Sequence, residues 1–167
     1  MATQVGGNLT SKLARLQLSR FSGLAFLILA GCGHHGKANG PAPVNPEAAV
    51  RAFMDAVKAN NLIGMRDLWG SERGPAISYM NQQEVDQRLT VIRTFLEHER
   101  FEFAQPNAVD PSNPAQRVVQ VRLARKGCEP VVPFTTVPWK NGWLVKNIGL
   151  SAAGNPARAC GPQAPGT

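Results

Sequence analysis

Three cysteines, three histidines and a single tyrosine are the residues of this 167-residue chain with the most distinctive chemistry. Cys32 has the sharpest surroundings. It follows Leu29-Ala30-Gly31, which ends the apolar run Leu24-Ala25-Phe26-Leu27-Ile28-Leu29-Ala30, and that run follows a segment carrying Lys12, Arg15 and Arg20. A basic stretch, a short apolar stretch and small residues at a cleavage point are the three physical parts of a secretory signal. His34 and His35 sit next to each other without Cys, Asp or Glu at ligand spacing, so they read as solvated linker rather than a metal site. No metal and no cofactor is expected.

Leu29-Ala30-Gly31-Cys32 resembles the lipobox of bacterial lipoproteins. The resemblance implies a diacylglyceryl group on the Cys32 sulfur, cleavage before that residue, and an acylated Cys32 at the start of the mature chain. Residues 1–31 would then be the signal peptide. Two other readings stay open: a transmembrane anchor, which needs about 20 apolar residues where Gly23, Gly31 and Gly33 interrupt this run, and an ordinary signal cleaved near Ala30. By the same family analogy Gly33, standing where an aspartate would retain the protein, favours the periplasmic face of the outer membrane in a diderm.

Removing residues 1–31 leaves one domain's worth of chain, enough to bury a core. The whole sequence carries a net charge of +7, and Lys12, Arg15 and Arg20 supply three of those units. The remaining cations are scattered among Asp and Glu, not gathered into the basic stripe of a nucleic-acid reader. Nucleic acid is therefore not an expected partner; the membrane, through Cys32, is. Residues 32–45 are rich in Gly and Pro and read as a tether that lets the domain stand off the bilayer.

Any chemistry in residues 46–150 needs elements to hold it. Asn45-Pro46-Glu47 is a helix start, with a capping side chain, a proline at the first helical position and an acid at the positive end of the dipole. Ala49, Phe53, Ala56 and Val57 share one face of that helix, with Val50 and Met54 beside them. Asn60-Asn61 ends it, and a short helix over Leu62 to Trp69 follows. After a break at Gly70 to Pro75 and a loop or turn over Ala76 to Met80, Asn81 and Glu84 open a longer helix striped by Val85, Leu89, Ile92 and Leu96. From Phe101 the period becomes twofold. Strands are expected over Phe101–Gln105, Arg117–Lys126, Val131–Trp139 and Trp143–Leu150, the last two joined by a tight Asn141-Gly142 turn. Pro133 and Pro138 place the third strand at an edge, a bulge or a strand end. Helices followed by an antiparallel meander give an α+β arrangement.

Pro46-Glu47-Ala48-Ala49-Val50-Arg51-Ala52-Phe53-Met54-Asp55-Ala56-Val57 and Trp139-Lys140-Asn141-Gly142-Trp143-Leu144-Val145 resemble the opening helix and closing hairpin of nuclear transport factor 2-like domains. The resemblance implies a cone-shaped α+β roll, two to three helices on a curved four-stranded antiparallel sheet. Catalytic branches of that superfamily aim an Asp, alone or with His, Tyr or Arg, into the cone. Here Glu102 is the one carboxylate on the expected strands, and its neighbours Phe101 and Phe103 face the other way. Asp55, Asp67 and Tyr79, from the helical side, are the acid/base candidates, each also readable as a surface or capping residue. His98, among Glu97, Glu99 and Arg100, reads as a solvated cation at a helix C-terminus. Trp69, Tyr79, Phe103, Phe134, Trp139 and Trp143 are the candidate lining of an apolar pocket, or simply core.

Cys128 and Cys160 are expected to form a disulfide that ties down the Ala/Gly/Pro-rich tail, residues 151–167, in an oxidising compartment. The function expected from these residues is a lipid-anchored, non-catalytic module that takes a small apolar ligand or an envelope protein. An isomerase or hydratase, and a homodimeric assembly subunit, are the alternatives.

Overall fold

The computed structural model describes residues 42–156. Cys32, His34, His35, most of the expected tether and Cys160 lie outside the described residues.

Helix α1 spans Pro46–Lys58 and starts as its sequence dictates: Asn45 Oδ1 accepts a 2.7 Å hydrogen bond from the Ala48 amide, filling one of the donors that a helix leaves open at its first turn. Ala49, Val50, Phe53, Met54, Ala56 and Val57 are all buried. The helix stops because Asn60 turns left-handed at φ 53°, a conformation asparagine tolerates better than most side chains. Asn61 then caps α2, Leu62–Leu68, through a 3.0 Å bond to the Gly64 amide. Gly64 is needed there, since a Cβ would stand 2.8 Å from Asn61 Nδ2 and 3.3 Å from Ala56 Cβ.

The expected break at Gly70 to Pro75 is a small hairpin, β1 (Gly70–Ser71) against β2 (Gly74–Pro75), followed by a 3-10 turn over Ala76–Ser78. Helix α3 runs Gln82–Phe95, capped by Asn81 through a 2.8 Å bond from the Gln83 amide. Its expected stripe of Val85, Leu89, Ile92 and Leu96 is buried. On the surface of α3, Glu84 pairs with Arg88 at 2.6 Å, and Arg93 donates to Asn60 Oδ1 on the α1–α2 connection.

Four strands make the main sheet in chain order: β3 (Arg100–Asp110), β4 (Asn113–Ala124), β5 (Val131–Trp139) and β6 (Gly142–Ile148), all antiparallel. The α+β arrangement expected from the change in period is therefore the one observed. Phe101 and Phe103 on β3, Val119, Val121 and Leu123 on β4, Val132 and Phe134 on β5, and Val145 and Ile148 on β6 belong to the apolar cluster that also holds the buried faces of α1 and α3. Phe53 and Phe134 meet edge to face across this layer, their centroids 6.5 Å apart.

Two expectations about the sheet need correction, and a third is narrowed. Strand β3 continues five residues beyond Gln105, because β4 supplies a partner past the point where alternation fades; the pairing survives irregularities between Phe103 and Ala108. Of the edge, bulge or strand end that Pro133 and Pro138 allow, the edge is excluded because β5 lies between β4 and β6; the strand end holds, since pairing with β6 begins only at Phe134 and Pro138 is the next-to-last residue of β5. Pro133 is accommodated because it lies past the ladder with β6: its carbonyl accepts from Gly149, one residue beyond the end of β6, and its ring packs against that glycine where a ladder amide would otherwise stand. The hairpin loop is Lys140-Asn141, with Lys140 at φ 51°. Gly142 opens β6 instead, and glycine is required because a Cβ would stand 2.4 Å from Ala42. The Trp143 amide donates to the Pro43 carbonyl at 2.9 Å, so the end of the expected tether is held against the start of β6.

Candidate functional site

The three acid/base candidates come from separate elements. Asp55 projects from the exposed side of α1. Asp67 lies on α2, half-buried, and desolvation raises its carboxyl above the ordinary value of 3.8 against the opposing pull of Arg66. Tyr79 follows the 3-10 turn; its hydroxyl donates to Ser71 Oγ at 3.0 Å, and the Arg73 guanidinium stands 4.4 Å over its ring. No hydrogen bond joins any two of them among the described residues. Acid and base groups work on one substrate when they converge on it; here Asp55 is exposed and the Tyr79 hydroxyl is engaged by Ser71.

The six aromatic candidates separate as well. Phe134 is fully buried against Phe53 and serves as core. Phe103 packs edge to face with Phe101, and Arg51 lies 4.8 Å from the Phe103 ring. Trp69 ends α2 in extended conformation and bridges in parallel to Val145, extending the β6 side of the sheet. Trp143 pairs with Pro138 across the closing hairpin. Trp139 reaches β2, where its indole nitrogen would stand 3.0 Å from a Cβ on Gly74, and Lys140 Nζ sits 4.4 Å over its ring. Glu102 is exposed and answers Arg122 across the strands at 3.3 Å, on the opposite side from Phe101 and Phe103 as the alternation predicts.

A site that the sequence does not announce lies where α1 and α3 end. A cavity of about 250 Å³ is lined there by Val57, Lys58, Asn60, Arg93, Thr94, Glu97 and His98. Lys58 Nζ donates to the Glu99 carbonyl at 3.0 Å, and Arg93 donates to Asn60 at 2.9 Å, so both cations are aligned by neutral oxygens. His98 is not the solvated cation its neighbours suggest. Its Nδ1 lies 2.8 Å from the Leu96 carbonyl, its ring packs on Phe101 at 5.4 Å, and its Nε2 is buried without a partner. A carbonyl can only accept, so Nδ1 carries the proton and Nε2 presents a lone pair. Desolvation first, then the positive charges of Lys58 and Arg125, holds His98 below its ordinary value of 6.5, despite the Leu96 carbonyl and Asp55 pulling the other way.

Lys58 and Arg93 lie in the last turns of α1 and α3. Only the packing of two helix ends brings them to one cavity. A wall with two cations, the Glu97 carboxylate, an amide, a hydroxyl and the His98 imidazole suits a small polar guest better than an apolar one. Among the described residues no group of three or more His, Cys, Asp and Glu is placed to hold a metal ion, and no helix is long and apolar enough to cross a membrane. Compared with protein-family models, curated proteins and solved structures, the chain matches none of them.

Proposed function

We propose that this chain is an exported lipoprotein, anchored through acylated Cys32 on the periplasmic face of the outer membrane in a diderm, whose cone-shaped α+β roll is a non-catalytic binding module. The observation that carries the non-catalytic part is the packed core, with Phe53, Met54, Met65, Leu89 and Phe134 filling the space between helices and sheet, while Asp55 is exposed and Tyr79 is tied to Ser71. The anchor rests on the run from Lys12 to Cys32. Two or three acyl chains, each buried methylene contributing about 0.8 kcal/mol, hold a protein on a membrane essentially permanently. The polar cavity beside His98 supports a small polar ligand, and the exposed elements serve a protein partner.

Native mass spectrometry of the protein extracted from membranes tests both parts, since it reads the lipid mass on Cys32, a retained small molecule and the oligomeric state together. Full-length chain with an unmodified Cys32 would sink the anchor reading. Turnover of an apolar substrate, abolished by Asp67→Asn, would sink the non-catalytic one. Asp67 is singled out because its burial favours the protonated form that a general acid requires.

A further inference from the structure

The tether arrives at a particular corner of the domain. Ala42 packs on Gly142 and Pro43 accepts from the Trp143 amide, so the chain enters beside the β5–β6 hairpin. Two cation–aromatic pairs occupy that corner. Lys140 stands 4.4 Å over Trp139, and Trp139 in turn abuts Gly74, whose neighbour Arg73 stands 4.4 Å over Tyr79. Pro138, Lys140, Asn141 and Arg73 are exposed, while Trp139 and Tyr79 are half-buried. Neither Arg73 nor Lys140 pairs with a carboxylate among the described residues, and the nearby Glu72 is already taken by Lys146 at 2.8 Å. Cations uncompensated by acid, set on amphipathic rings, match the interface of an anionic bilayer, where indole and phenol rings lie at headgroup level and each nearby cation adds attraction.

We infer that the corner formed by Arg73, Tyr79, Trp139 and Lys140 is a second membrane contact, which lays the β5–β6 hairpin against anionic lipid headgroups. The inference rests on the lipid-anchor reading for its geometry. Ten residue steps separate Cys32 from Ala42, and even fully extended they reach at most about 35 Å. An acylated Cys32 therefore confines this corner, more than any surface on the far side of the domain, to the neighbourhood of the bilayer. Such confinement acts as a high effective concentration, so a weak surface contact becomes populated. The opposite end of the domain stays free to meet a ligand or a partner.

The test uses the protein as purified from membranes, after mass analysis of Cys32, mixed with vesicles of pure phosphatidylcholine or of phosphatidylcholine with phosphatidylglycerol, each carrying brominated acyl chains. Quenching of tryptophan emission reports approach of the hairpin to the bilayer. Expected is stronger quenching on the anionic vesicles, lost at 1 M salt, where the screening length is about 3 Å, and most of it removed by Trp139→Phe. Arg73→Gln and Lys140→Gln should each weaken the anionic component about fivefold, with the thermal midpoint unchanged. Equal quenching on both vesicle types, or quenching indifferent to all three substitutions, overturns the inference. If Cys32 carries no lipid, the anchor reading fails separately, and co-sedimentation of the chain with the same two vesicle types decides the contact: anionic preference sensitive to Lys140→Gln supports it, and its absence overturns it.

Discussion

Arg66 and Asp86 face each other across α2 and α3 as a two-pronged pair, with Nε to Oδ1 at 2.5 Å and a second nitrogen to Oδ2 at 2.6 Å. Both side chains are mostly shielded, at 20% and 28% exposure. A planar guanidinium on a carboxylate fixes orientation as well as distance, so this pair sets how the two helices meet. Removing one partner leaves the other charge half-buried. Asp86→Ala is expected to cost about 1.5–3 kcal/mol, read by urea unfolding, and Arg66→Lys should recover only part of the pairing because an ammonium cannot grip both oxygens.

Arg125 holds a different junction. Its guanidinium donates to the carbonyls of Glu97 at 2.7 Å, Ala153 at 2.8 Å and Phe95, joining the end of α3 to the turn after β6. Three carbonyls from two segments need a forked donor. Arg125→Lys should lower the unfolding free energy by about 2 kcal/mol and raise hydrogen exchange of the amides near Ala153; unchanged exchange there would remove the stapling role.

The pH response of the domain should report His98. Its native pKa lies below the ordinary 6.5, so on acidification the unfolded chain takes up a proton before the native state does. Stability from this group is whole above pH 6.5 and declines as pH falls from there to the lower native value, after which it levels off. Chemical denaturation across that window should show the decline in the wild type and not in His98→Gln. A flat wild-type profile contradicts the buried placement of Nε2.

Glu72 acts further down the same acid side of the pH scale. The hydrogen bond from Lys146 lowers its carboxyl below 4.5, aided by its backbone bond and by Gln116. A depressed native value means its contribution is present above pH 4.5 and is lost as pH falls through the native pKa. Glu72→Gln should therefore flatten a small part of the acid limb, an effect kept small by its exposure to solvent.

The proposed bond between Cys128 and Cys160 closes a loop of roughly thirty residues, worth about 3–4 kcal/mol in the chain-entropy model. Peptide mapping without reductant should recover the two cysteines in one linked fragment, and reductant should lower the midpoint of unfolding. Separate fragments would show that the tail is tied, if at all, by other means.

Local features of this chain were legible because their causes are local. Asn45-Pro46 and Asn81 start helices through side chains that reach amides two or three residues on, Asn61, readable only as the end of α1, caps α2 as well, and the stripes of α1 and α3 follow from a period of 3.6 residues. What the sequence by itself determined is therefore the set of helices, the switch to twofold alternation and the antiparallel order, because capping, periodicity and short turns act within a few residues. Only the tertiary structure decided that β5 lies inside the sheet, with Pro133 at a margin that spares its missing donor, and that His98 is buried and not solvated. It alone brought Lys58 to Arg93, and Ala42 to Gly142, since each pairing depends on how elements distant in the chain come to lie side by side, and no spacing along the chain encodes that distance.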